Sequence, residues 1–363
     1  MDRCGNCFFE LLRSAIWDKI PELGFVPTEK EWNDIYTISK EQTVTGILLD
    51  AISKLPATHK PPRRLVLEWI AVQKFIEKSN ISMNKELKHL YNELSKEGIC
   101  TYLLKGQGVA QLYPIPQHRV CGDIDVYFNA DDFKKAIEFF ASRGCEIEDS
   151  QGSPHAETDY NGIKIELHRK SATFYNDKLQ KRYNEISLDV IGNTMETVLI
   201  EDSEINVFPP ALNALQLLSH MLRHILFSGL GLRQICDWVL FIHKHQKDID
   251  REQFISYMKE LQLLATYRAI TAMAIDYLGL PEECAICDID KNDRKMAKKI
   301  MSLIMEYGNF GHYGEHTSTR TKLEYLKAYI WKVKNCFRFR KLSTEAWSYP
   351  IWQLHSALKI ICK

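Results

Sequence analysis

Two short segments, residues 120–128 and 162–168, alternate apolar and polar side chains, and their polar positions carry three carboxylates. A period of two marks a strand with one buried face, and it dictates which residues share a side. In the first segment Ile124, Val126 and Phe128 share one face, and Asp123, Asp125 and Tyr127 share the other. In the second, Ile163, Ile165 and Leu167 point inward while Lys164, Glu166 and His168 point outward. Residues two apart on a strand are separated by roughly 6.5 Å, so Asp123 and Asp125 reach toward one small cluster of cations. Burying the apolar faces leaves Asp123, Asp125 and Glu166 on a common wet edge. Such an edge suits a pair of divalent ions engaged in phosphoryl transfer.

The flanking sequence has a different period. Residues 1–98 read as a helical segment: Thr28 and Glu31 form a capping-box signature, and Trp32, Ile35 and Ile38 recur at helical intervals. After Pro61-Pro62, a long helix runs through Leu65, Trp69, Val72 and Ile76 toward Leu94, with Gly98 as its stop. Residues 99–207 hold the α/β core, with a strand over 99–104 and a glycine turn at Lys105-Gly106-Gln107-Gly108 that leads into a helix. The acidic strand follows, then a helix capped at Asn129 and stopped at Gly144, and further strands at 145–147 and 163–168. Residues 208–363 return to helix, with stripes at Leu212, Leu215, Leu218 and Leu222 and at Trp238, Phe241 and Ile242. The predicted class is α+β, a small mixed-sheet core between N-terminal and C-terminal helical segments.

The carboxylates suggest Mg²⁺, which takes hard oxygen ligands and keeps several waters, with Mn²⁺ as the alternative ion. Asp123, Asp125 and Glu166 are the expected metal ligands and catalytic groups, Glu166 also accepting a proton from the acceptor. Gly106 allows close approach of the backbone to a nucleoside triphosphate co-substrate, and Lys105 and Arg119 are cations placed to hold its phosphates. At 363 residues, the chain balances 47 Lys+Arg against 47 Asp+Glu, so net charge gives no reason to expect nucleic acid or a membrane as partner. Ten cysteines, most of them in apolar segments, fit reduced thiols, and no signal or spanning segment is evident. The expected compartment is the cytoplasm.

Leu103-Leu104-Lys105-Gly106, Leu112-Tyr113-Pro114, Arg119 and Gly122-Asp123-Ile124-Asp125-Val126 follow one another in an order that resembles the uncharacterised nucleotidyltransferase family of the polymerase-β-like superfamily. The likeness is clearest over residues 85–170. It implies transfer of a nucleoside monophosphate from a triphosphate to an unidentified small-molecule or protein acceptor, with Asp123 and Asp125 as metal ligands and Glu166 as the third carboxylate. Two departures are visible. The usual glycine-serine pair is Gly106-Gln107, and Pro114-Ile115-Pro116-Gln117 lengthens the path from the turn to the first aspartate.

Other readings compete. An Asp-x-Asp glycosyltransferase uses similar carboxylates but begins with a nucleotide-binding α/β element, not about a hundred helical residues. A non-catalytic nucleotide-binding module on the same fold keeps the ligands without turnover. Cys4/Cys7 and Cys284/Cys287 have zinc-like spacing at opposite ends of the sequence, without knuckle-like surroundings. His220 and His224 sit one turn apart, but Met221 stands where a zinc-protease motif needs glutamate, so a core-facing helix is favoured. His168 either orients substrate or is an ordinary surface histidine, and Arg233 with Asp237 reads as a helix ion pair. Between residues 322 and 341, seven basic side chains interleave with aromatics (Tyr325, Tyr329, Trp331, Phe337, Phe339), and a solvated helix face is preferred over a single-strand binding surface.

Overall fold

A computed structural model describes residues 2–150, 153–193, 196–309 and 322–361; the side chains at 193, 322–326 and 354–361 fall outside the description. Residues 318–321 and the side chains of Lys322 and Tyr325, part of the basic aromatic stretch, therefore lie outside the described residues. The fold is α+β, with a seven-stranded mixed sheet among many helices. The chain divides into two compact units, the first comprising residues 1–171 and 191–213, the second 172–190 and 214–363.

The first unit opens with α1 (Arg3–Ile16), α2 (Glu29–Glu41) and α3 (Thr45–Ser53), then the long α4 (Arg63–Lys96). The capping box at α2 forms as its sequence requires: Glu31 N donates to Thr28 Oγ1 and Thr28 N donates to Glu31 Oε2. Further on come β1 (Tyr102–Leu104), α5 (Gly106–Ala110), β2 (Ile124–Tyr127), α6 (Ala130–Ser142), β3 (Ile147–Glu148), β4 (His155–Tyr160) and β5 (Ile163–His168). Asn129 caps α6 by accepting from the N–H groups of Asp131 and Asp132. After α7 (Asp177–Asn193), the hairpin of β6 (Glu196–Ile200) and β7 (Ser203–Val207) completes a sheet of order β3-β4-β5-β2-β1-β7-β6. β2 runs parallel to β5 and antiparallel to β1, and β1 is parallel to β7.

One face of this sheet is apolar. Ile124, Val126, Phe128, Ile165 and Leu167 pack with Leu87, Leu90 and Leu94 of α4 and Phe139 and Phe140 of α6. Each such side chain contributes about 1.5–3 kcal/mol of burial free energy. The alternation read from the sequence therefore places the carboxylates of β2 and β5 on the opposite face.

The second unit is helical: most of α7 and α8 (Pro210–Phe227), then α9 (Leu232–His245), α10 (Arg251–Glu260), α11 (Leu264–Leu278), α12 (Lys291–Tyr307), α13 (Lys322–Arg338) and α14 (Glu345–Ile361). Its core is built on Trp238 of α9 and Tyr267 of α11, whose rings meet edge to face at 5.8 Å. The Tyr267 hydroxyl accepts the N–H of Ile286 at 2.6 Å, which satisfies a polar atom on a fully buried ring. His220 and His224 bond each other, Nε2 to Nε2, at 3.0 Å, and the buried His224 also meets Gly229 O through Nδ1 at 3.1 Å.

Candidate active site

The acidic face is assembled within the first unit by three neighbouring strands. In the parallel β2/β5 pair, Asp125 stands beside Glu166 and Tyr127 beside His168; in the antiparallel β4/β5 pair, His155 stands opposite His168 and Glu157 opposite Glu166. The β4/β5 register comes from a two-residue turn, Asn161-Gly162, with φ of 55° and 80°. Both values are positive, as the hairpin turn matched to strand twist requires, and Asn-Gly is the pair that adopts it most readily. That turn is why His155 reaches the same row as the acids.

Asp125 is buried, and its Oδ1 receives two donors: His168 Nε2 at 2.7 Å and Lys105 Nζ at 3.1 Å. The same His168 nitrogen lies 3.2 Å from Glu166 Oε2, so one imidazole N–H is shared between two carboxylates. Burial alone would push the Asp125 carboxyl up, but the Lys105 charge and the His168 bond hold it below the usual carboxylate range. Burial alone would lower His168, yet its bonds to Asp125 and Glu166 raise it above the ordinary imidazole value. His155, Glu166 and His168 each offer a ligand atom within 4.8 Å of the others.

Lys105 reaches Asp125 from a turn with unusual backbone. Its φ of 49° and ψ of −135° are strained for a residue with a Cβ, and Gly106 follows at φ 37°. A Cβ on Gly106 would lie 3.8 Å from Asp123 O, ordinary contact, so the glycine is explained by φ rather than by space. Gln107 is buried and turned into packing: its Nε2 points at Met83 Sδ of α4 at 3.5 Å.

The lengthened connection before the acids becomes a short 3-10 turn, Pro116–His118, pinned by buried polar side chains of α4. Asn80 Nδ2 donates to Gln117 O and Arg119 O, both at 2.7 Å, and Gln73 Nε2 donates to Gly46 O at 2.7 Å. His118 Nδ1 contacts Asp50 Oδ1 at 2.8 Å. The close approach has a cause: a Cβ on Gly46 would sit 2.2 Å from His118 O. Arg119 is buried, its Nη1 bonded to Val120 O at 3.2 Å and Cys121 Sγ at 3.0 Å along its own loop.

Against expectation, β2 is shorter than the alternating segment. It spans Ile124–Tyr127, and Asp123 lies in a bend just before it because the pinned turn redirects the chain there. The structure thus brings Lys105, Asp125 and Glu166 together and sets Asp123 one residue before β2. The polar edge is open to water only in part: Asp125 and His168 are buried, while Asp123 and Glu166 are half-buried. His155 is the residue that sequence reasoning missed, and the Asn161-Gly162 hairpin signal would have found it.

A sheet carrying acids on adjacent central strands, a strained glycine turn and a neighbouring lysine is the arrangement expected of a nucleotidyltransferase-like protein. The model of the uncharacterised nucleotidyltransferase family matches residues 28–279, and the chain belongs to that family. Among solved structures, the chain is similar to an antigenic nucleotidyltransferase-like protein from Paracoccidioides brasiliensis, with 16% identity over 44% of this chain and 74% of that one. The TM-score is 0.31. No curated protein matches the chain. Family membership supports nucleotidyl transfer as the general function.

Proposed function

We propose that the chain is a metal-dependent nucleotidyltransferase of the polymerase-β-like superfamily that moves a nucleoside monophosphate from a triphosphate onto an acceptor, a small molecule or a protein. The observation that carries this reading is the register of β2 and β5, which sets Asp125 beside Glu166 with one imidazole nitrogen between them. The donor chemistry fits a hard cation. Asp125 is an ionised oxygen donor in a buried place, Glu166 lies alongside, and Asp123 immediately precedes β2. Asp123, Asp125 and Glu166 would hold Mg²⁺ or Mn²⁺, which when bound supplies charge stabilisation at the transferring phosphoryl group.

The chain's own residues do the rest. Lys105 and Arg119 are the cations proposed for the triphosphate, and the Lys105-Gly106 turn gives its backbone close access. The acceptor oxygen forms a bond to the α-phosphorus, the bond to pyrophosphate breaks, and the acceptor's proton passes to Glu166. His168, held by two carboxylates, fixes the orientation of both. The buried thiols Cys7 and Cys284 form no disulfide among the described residues, which accords with a reducing compartment, and the cytoplasm is part of this proposal. Pyrophosphate release with each triphosphate over a pool of metabolites and proteins, in Mg²⁺ and in chelator, tests the reading. Release that persists unchanged in Asp123→Asn and Asp125→Asn overturns it.

One observation favours a second reading. Lys105 and His168 together already place two positive groups on Asp125 Oδ1. That suits a regulatory module that binds nucleotide without turnover. Calorimetry distinguishes the two: tight triphosphate binding that chelator does not weaken, with no pyrophosphate formed, supports the module.

A further inference from the structure

The second unit carries a basic cavity that nucleotidyl transfer leaves unused. It has a volume of about 580 Å³ and is lined by five cationic side chains, Lys295, Lys299, Arg338, Arg340 and Lys341, against one carboxylate, Asp293. Lys295 and Lys299 are four apart on α12 and so share a face, while the arginines and Lys341 come from the end of α13 and the turn that follows. Sequence distance gives no hint of the convergence. The fold brings together two charge clusters about forty residues apart.

Three features make this more than a solvated surface. First, the turn is anchored: Phe339 and Leu342 are buried, Leu342 N donates to Phe339 O at 2.9 Å, and Leu342 O accepts Thr266 Oγ1 of α11 at 3.4 Å. Second, Arg340 is preordered, its Nη1 donating to Phe337 O at 2.9 Å and its guanidinium lying 4.3 Å from the Phe337 ring centre. Third, the single acid is committed elsewhere. Asp293 Oδ2 accepts the Asp290 N–H at 2.9 Å in the capping box of α12, and among the described residues no ion pair forms between it and the five cations. Concentrated like charge in a concave, partly apolar site favours an anion strongly.

Shape decides which anion. The volume falls within the range of small-molecule sites. A single nucleic-acid strand needs a long groove with aromatic platforms for its bases, and among the described residues no aromatic side chain lines this cavity. We propose that the cavity binds a compact polyphosphate or polyphosphorylated small molecule, at a site built by residues of the second unit alone.

The test uses the full-length protein, with inorganic tripolyphosphate as probe in calorimetric titration under chelator. A Lys105→Ala background removes one of the two candidate phosphate contacts of the first unit; the other, Arg119, is buried. The triple variant Lys295→Gln, Lys299→Gln, Arg338→Gln should weaken binding at least tenfold. A control triple with the same loss of charge in the first unit, Lys30→Gln, Lys60→Gln, Lys134→Gln, should change it less than twofold. All six side chains are exposed, so folding is retained, and Lys299→Gln alone gives a smaller loss in the same direction. No measurable tripolyphosphate binding, or equal losses in both triples, overturns the proposal. So does tighter binding of a twelve-nucleotide single-stranded RNA than of tripolyphosphate through the same three residues. Because the background already lacks Lys105 and the buffer lacks metal, failure here says nothing of transfer at Asp125.

Discussion

Asp125 Oδ1 and His168 Nε2 lie 2.7 Å apart on adjacent parallel strands, and the same nitrogen stands 3.2 Å from Glu166 Oε2. A buried carboxylate that accepts from both an imidazole and an ammonium is charged and fixed, which is what a ligand or electrostatic stabiliser requires. The Asp125→Asn variant keeps an acceptor but loses the charge that both Lys105 and His168 face. Stability should fall by about 1–3 kcal/mol, read from urea unfolding. Pyrophosphate release should fall at least about a hundredfold.

Lys105 offers a test of backbone strain that is separate from its charge. Both Lys105→Ala and Lys105→Gly remove the ammonium from Asp125, but only glycine adopts φ 49°, ψ −135° without steric cost. The glycine variant should be the more stable of the two by about 1 kcal/mol. Equal midpoints of chemical unfolding would show that the turn stores no strain.

Gly46 is the point where α3 meets the turn ahead of the acids. With His118 O at 2.2 Å from any added Cβ, Gly46→Ala must push that turn away from α3 and disturb the contacts of Asp50 and Gln73 with His118. We expect a loss of about 1–3 kcal/mol from overpacking. Transfer should drop as well, because the turn leads directly to Arg119 and Asp123. Thermal melts and pyrophosphate release measured on the same preparation check both.

Glu345 caps a loop of the second unit with its two oxygens, accepting Tyr175 N at 2.7 Å and Asn176 N at 2.8 Å. Burial pushes its carboxyl up, and these bonds only partly offset that. The folded state therefore holds the proton to higher pH than the unfolded chain, so this group's contribution to stability declines as pH rises from the unfolded carboxyl value through the folded one. Glu345→Gln leaves one N–H facing an amide NH₂ and should cost about 1–3 kcal/mol at neutral pH. The difference between wild type and variant should widen as pH falls through that window, which urea melts across the acid range would reveal.

Much of the molecule is legible from the order of its residues. Period-two alternation at Ile124/Val126/Phe128 and Ile163/Ile165/Leu167 identifies the buried face of the sheet, because each strand's sides follow from its own backbone. Caps at Thr28 and Asn129 and the positive-φ glycines Gly98 and Gly144 mark helix ends for the same local reason. Strands β4, β6 and β7 are less legible from the sequence. In β6 the apolar residues Val198, Leu199 and Ile200 are consecutive, with Leu199 exposed, so no alternation shows, and β7 alternates over only Ile205 and Val207.

What the sequence determined by itself was the kind of chemistry available: hard carboxylates on strands, a glycine turn with a lysine, and helices to either side. Which side chains meet was decided only by strand neighbours and register. His155 sits opposite His168 because of a hairpin, Asp125 sits beside Glu166 because two strands distant in sequence run parallel, and Lys299 shares a cavity with Arg340 because α12 packs near a turn from another helix. Local propensity reaches only a few residues along the chain, whereas these contacts are fixed by burial of apolar faces across it.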